Sequence, residues 1–219
     1  MRYALVLVLL LGTVPGASGQ IAFLAPDRPT LQFGGAVSAA ESTSGFATEI
    51  TVLGNGRIGL QLGAGFFTSD IVDERNRESE LSVRSFFIGP VLYPSRQTEE
   101  QPLTVAIGLA YTRTIYPDLD ISGFNAFTLG LDVARNIIPD AVAGGVAPHL
   151  AAGVSFQQQP GGGTGNLQVI SLSGGIELGA RLSPSSFLVF DPSVSVVLVE
   201  GTRTVGVGLR VALGFAVAE

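Results

Sequence analysis

Glu49, Asp132, Glu177, Asp191 and Arg210 are the residues of this chain best placed to do chemistry together. Each stands among small or polar neighbours in a run whose alternate positions are large and apolar, so each points away from the apolar face. Glu177, Asp191 and Arg210 lie on three successive runs at similar height, and Arg57 and Arg84 are candidates to join them. Such a set supports a selectivity ring or a proton path. It also supports a polar network filling a narrow interior, where charges must pair to offset lost hydration. The second reading is preferred, and within it Arg210 is expected to pair with Glu177 or Asp191.

Other reactive residues are sparse. His149 is the single histidine and there is no cysteine, which excludes a histidine-based metal cluster and disfavours zinc. Ser155 shares the face of His149, but six residues along an extended strand is roughly 20 Å, beyond hydrogen-bond reach. A serine from another strand keeps a hydrolase open as a minor alternative. No G-x-S-x-G or phosphate-binding loop occurs, and Gly161 to Gly165 lacks the following lysine. The acidic stretch Asp70 to Glu78 offers carboxylates to Ca²⁺, but a solvated, partly self-paired loop is the preferred reading. No cofactor is expected.

The elements that must position these groups are strands. From Val205 to Val217 the odd positions are Val, Val, Leu, Val, Leu, Phe and Val, and the even ones are Gly, Gly, Arg, Ala, Gly and Ala. A helix would merge the two faces and carry three weakening glycines. One large greasy face against one small face suits a strand between lipid and a crowded lumen. The same alternation predicts strands over 30–39, 46–53, 57–67, 80–93, 103–112, 124–134, 148–157, 167–181 and 187–199. The expected fold is therefore all-β: a closed antiparallel up-and-down transmembrane barrel of 10 strands. Eight is the alternative if the short second run or the fourth is miscounted. The fourth has no clear phase, because Phe86, Phe87 and Ile88 are consecutive, and Pro90 suggests a bulge. Gly54-Asn55-Gly56 marks a tight hairpin. Phe46, Phe66, Tyr111, Phe124 and Phe156 are expected in one interfacial belt, and Tyr93, Phe190 and Phe215 in the other.

Residues 1–19 read as a cleaved export signal, with Arg2, a short apolar core from Ala4 to Leu11, and Ala17-Ser18-Gly19 before the cut. Residues 20–219 then form one barrel domain. Losing Arg2 and no acid leaves 18 acids against 11 arginines, a net charge of −7, which argues against nucleic acid as a partner. Every basic residue but the histidine is arginine.

On this export signal, alternation and glycine-rich hairpin rhythm, the chain resembles the small outer-membrane β-barrel proteins of the OmpA and OmpX type. One departure is the ending Phe215-Ala216-Val217-Ala218-Glu219, where such barrels commonly end on an aromatic residue. The resemblance implies residence in the cell outer membrane, with outer-membrane lipid and the barrel assembly machinery as partners and an extracellular partner left unknown. It implies no single activity, since members serve as anchors, adhesins, narrow pores and occasionally lipid-modifying enzymes. The preferred reading is a structural or surface-interaction barrel with a largely plugged lumen. A narrow passive pore for ions or small solutes is the first alternative, and a membrane-embedded enzyme the second.

Overall fold

The computed structural model describes residues 29–41, 43–54, 57–72, 78–98, 100–118, 123–137, 144–158, 167–183 and 185–216. The proposed export signal and Val217 lie outside the described residues. Ten strands follow one another: β1 (Thr30–Ala40), β2 (Thr43–Gly54), β3 (Ile58–Val72), β4 (Glu78–Ser95), β5 (Thr104–Ile115), β6 (Phe124–Ala134), β7 (Gly144–Gln158), β8 (Leu167–Ser183), β9 (Ser186–Val199) and β10 (Thr202–Ala216). Each pairs antiparallel with its sequence neighbours, and β1 pairs with β10 from Thr30↔Ala216 to Ala40↔Gly206. The sheet therefore closes into an up-and-down barrel of ten strands, not eight, and closure leaves no edge for another chain to pair with.

Parity decides which side chain meets which environment. Phe33, Leu62, Phe86, Leu129, Leu150, Leu172, Val194 and Leu209 are among the large apolar residues exposed on the outer wall. A continuous exposed apolar surface of this extent marks a membrane face. The opposite positions turn inward and are buried: Gln32, Thr51, Thr112, Thr128, Ser155, Glu177 and Arg210 among them. Leu209 is midway along its strand and Ala212 faces inward with 1% exposure. Leu209→Arg is thus expected to cost about 2–4 kcal/mol in a refolding titration. Ala212 should respond to bulk instead; tolerance of both Leu209→Arg and Ala212→Leu would mean the faces are reversed.

Several boundaries differ from the sequence reading. The β3–β4 hairpin continues through Asp70↔Glu80 to Val72↔Glu78, so part of the acidic stretch is strand, and residues 73–77 lie outside the described residues. The hairpin expected at Gly54 to Gly56 is bounded by Gly54↔Ile58 and an Arg57 N–H donated to the Gly54 carbonyl. β9 and β10 are joined by Glu200 and Gly201 alone, both left-handed at φ 44° and 83°, as the tight turn of a two-residue hairpin requires. In β4 the register shift falls between Leu92 and Ser95, just past Pro90. The phase of β4 was illegible because it is apolar on both faces. Leu81, Val83, Val91 and Tyr93 are buried inside while Phe86, Ile88 and Leu92 are exposed outside.

Two ends can be distinguished: one carries both termini, the other the five links that follow odd-numbered strands. Near the loop end, Phe67, Leu81, Val83 and Tyr116 form an apolar cluster inside the wall, and Val169, Val197 and Val199 form a second; Leu167 packs against both. Near the terminal end, Leu53, Val91, Tyr93 and Ala106 form a third. Two aromatic assignments change accordingly. Phe124 packs edge-on against Tyr116, 5.9 Å between centroids, in the interior cluster, and Tyr93 faces the lumen at 3% exposure. Phe46 stacks on Phe66 at 5.1 Å and Tyr111 lies against Phe127 at 5.2 Å on the outer wall, as interfacial belts require.

Candidate functional site

The charged layer is assembled by register. Arg210 on β10 stands directly opposite Asp191 on β9. Gly175↔Ser193 and Leu178↔Phe190 place Glu177 of β8 across from Asp191 in turn. His149 on β7 is opposite Gly175, and Asp132 on β6 is opposite Ala151. Glu49 enters from β2, where it faces Gly34 of β1. Exposure is 0% for Asp132 and Glu177, 1% for Asp191, 4% for His149 and 5% for Arg210. Acids and bases this deep must be paired, hydrogen-bonded or neutralised by proton exchange.

The pairing is not the expected one. Arg210 donates from Nε to Glu49 Oε1 at 2.6 Å rather than to Glu177 or Asp191. Glu49 also accepts from Gln61 Nε2 at 3.0 Å. The bond vaults over β1, whose inward residue below it is Gly34; a Cβ there would come within 2.7 Å of Glu49 Oε1. Asp191 is turned the other way, to His149 Nε2 at 2.9 Å, and that bond vaults over β8 at Gly175. His149 Nδ1 lies 3.9 Å from Asp132 Oδ1. Two glycines thus leave the space through which charges on next-nearest strands meet. Glu177 sits between these pairs, and neither of its carboxylate oxygens has a hydrogen-bond partner among the described residues.

Of the candidate residues, Glu49, Asp132, Glu177, Asp191 and Arg210 are brought together, and Arg57 and Arg84 are not. Arg57 is exposed in the turn before β3. Arg84 is exposed on the outer wall, because it shares parity with Phe86 and Ile88. Three contributors were missed. His149 is central to the layer. Tyr93 and Arg96 come from the end of β4 and the link after it, with the Arg96 guanidinium 5.0 Å from the Tyr93 ring centroid and 7% exposed. A lone arginine in a link carries no parity signal that would have found it. Among the described residues no group of three or more His, Asp or Glu side chains is arranged to hold a metal ion.

Above this layer the inward positions become small. Ala36, Ser38, Ala47, Gly130, Gly153, Ser173 and Ser195 are all partly exposed there. Thr128 and Ser155 bond to each other at 3.0 Å across β6 and β7.

These features define a transmembrane β-barrel of the bacterial outer-membrane type. No protein-family model matches the chain, and no curated protein matches it. Among solved structures, the beta domain of the Bordetella autotransporter BrkA is similar at a TM-score of 0.53 and 11% identity, over 87% of this chain and 100% of that one. The transport unit of the autotransporter AIDA-I from Escherichia coli gives 0.47 and 12%, over 98% and 97%. Ail of Yersinia pestis gives 0.31 and 10%, over 86% and 99%. At 11% identity the likeness to the BrkA beta domain is one of fold alone.

Proposed function

We propose that the protein is a structural or surface-interaction barrel of the outer membrane whose lumen is filled rather than open. The observation that carries this reading is the charged layer: six side chains from six strands meet, five of them buried, and apolar clusters occupy the interior beyond them. Export by residues 1–19, delivery by the barrel assembly machinery and embedding in outer-membrane lipid belong to the same proposal. His149 Nε2 is bonded to Asp191 at 2.9 Å and Nδ1 lies 3.9 Å from Asp132, an arrangement that favours a structural role for the ring.

The partly exposed small residues at mid-height favour a second reading, a narrow conduit shut only at the charged layer. Planar-bilayer recording separates the two. The wild type is expected to show little or no steady conductance. Replacing Glu177, Asp191 and Arg210 together with Ala should open a pathway. Large stable openings in the unmodified protein would favour the conduit, with these charges as its selectivity ring.

A further inference from the structure

The outer wall changes character sharply at the loop end. On β4 the outward residues run Leu92, Pro90, Ile88, Phe86 and then Arg84, Ser82 and Glu80. On β5 they run Leu109, Tyr111 and then Arg113, and on β6 Leu129, Phe127 and then Asn125. The stretch from Arg84 to Pro94, at about 3.3 Å per residue and a tilt of about 40°, rises roughly 25 Å, the height of the apolar band of such barrels. Arg84 and Arg113 therefore sit one hydrocarbon thickness from the terminal end, at the level of lipid headgroups.

They are also neighbours. The register Arg84↔Ile115 and Phe86↔Arg113 makes them a diagonal pair on adjacent strands, where side chains lie about 7–8 Å apart at their bases. Arg113 is oriented by its Nη1 bond to Asn125 Oδ1 at 2.9 Å, and the Tyr111 hydroxyl donates to the same oxygen at 3.0 Å. Acids occupy the next tier outward. Asp70 is paired across from Glu80, and Asp118 Oδ2 accepts the Ser82 N–H at 2.9 Å. The Ser82 hydrogen bonds, with Arg84 nearby, hold the Asp118 carboxyl below its ordinary range, so it is ionised. The order from the membrane outward is thus aromatic, arginine, carboxylate.

We infer that Arg84 and Arg113 form a lipid-facing site for the phosphate of an anionic lipid headgroup in the leaflet at the loop end. The planar guanidinium suits a phosphate that must be gripped at a fixed height, and the aromatic side chains beneath pack against the acyl region. The lipid rather than a soluble anion is the occupant because Arg84 projects from the face that Phe86 and Ile88 give to hydrocarbon, not from the lumen or a loop. The inference rests on the outer-membrane reading.

The test uses the refolded full chain in zwitterionic nanodiscs doped with a diphosphorylated glycolipid, with retained lipid counted by native mass spectrometry. The wild type should retain the glycolipid. The Arg84→Gln/Arg113→Gln double variant should retain about tenfold less, as loss of charge-assisted contacts predicts. An Arg57→Gln/Arg135→Gln control at the terminal end should match the wild type. Equal retention by the double variant would overturn the site, as would displacement of the glycolipid by millimolar inorganic phosphate, which would identify a soluble-anion site. Folding is read separately from heat-dependent gel mobility: a wild type that never inserts would remove the membrane reading and the site with it, whereas an inserted wild type without glycolipid would remove the site alone.

Discussion

Arg210→Met should destabilise the barrel by about 3–5 kcal/mol, while pairing it with Glu49→Gln should recover about 2 kcal/mol of that loss. The single change removes the cation that Glu49 Oε1 meets at 2.6 Å and leaves Glu49, Asp191 and Glu177 facing one another in a site with almost no water access. Gln61 Nε2 remains on Glu49 Oε2 at 3.0 Å, which places the cost toward the lower end. The double variant removes both charges and keeps the amide of Gln available to Gln61. The chain has no Trp, so the folded fraction is best followed by heat-dependent gel mobility against urea, at constant m. Additive single effects would show that Glu49 and Arg210 do not pair. A stronger coupling of Arg210 to Asp191 than to Glu49 would show that direct opposition in the register, not the vault over β1, decides the partner.

This pair also shows what the sequence exposes and what it hides. Period-two alternation is a local property, so it correctly turns Glu49, Asp132, Glu177, Asp191 and Arg210 inward without any knowledge of the fold. It fails for Arg84, where Phe86, Phe87 and Ile88 offer two phases, and β4 resolves them only because its inner face also packs an apolar cluster. Partner choice is not local. Arg210 and Glu49 are 161 residues apart and meet because the barrel closes β10 onto β1. Adjacent-strand reasoning finds Asp191 opposite Arg210, which is true of the register, but it cannot see that Gly34 and Gly175 let each side chain reach one strand further. A glycine in a strand reads as a weak point or a bulge; here its meaning lies in what passes over it.

Gly175 should therefore resist replacement by any larger residue. A Cβ at this position would lie 2.6 Å from His149 Nε2, 2.6 Å from the Pro192 carbonyl oxygen and 2.8 Å from Asp191 Oδ1. Two of these atoms belong to side chains that can turn away, at the cost of the 2.9 Å bond between them. The third is backbone in a paired strand and cannot yield without moving β9. Gly175→Val is expected to cost about 4 kcal/mol, an overpacking penalty plus the separation of a buried His–Asp pair. Gly34→Ala differs in kind, because the three atoms nearest its Cβ would all belong to the Glu49 side chain, 2.7 to 3.3 Å away. Its cost should vanish in a Glu49→Ala background, where the general preference of a strand for Ala over Gly takes over. Gly208→Ala is the control: its nearest contact, Ser193 Oγ at 3.4 Å, is ordinary packing. Urea midpoints that rank Gly175→Val with Gly208→Ala would show that the space over Gly175 is unused. A Gly34→Ala cost that persists without Glu49 would show that the Glu49–Arg210 bond does not depend on that gap.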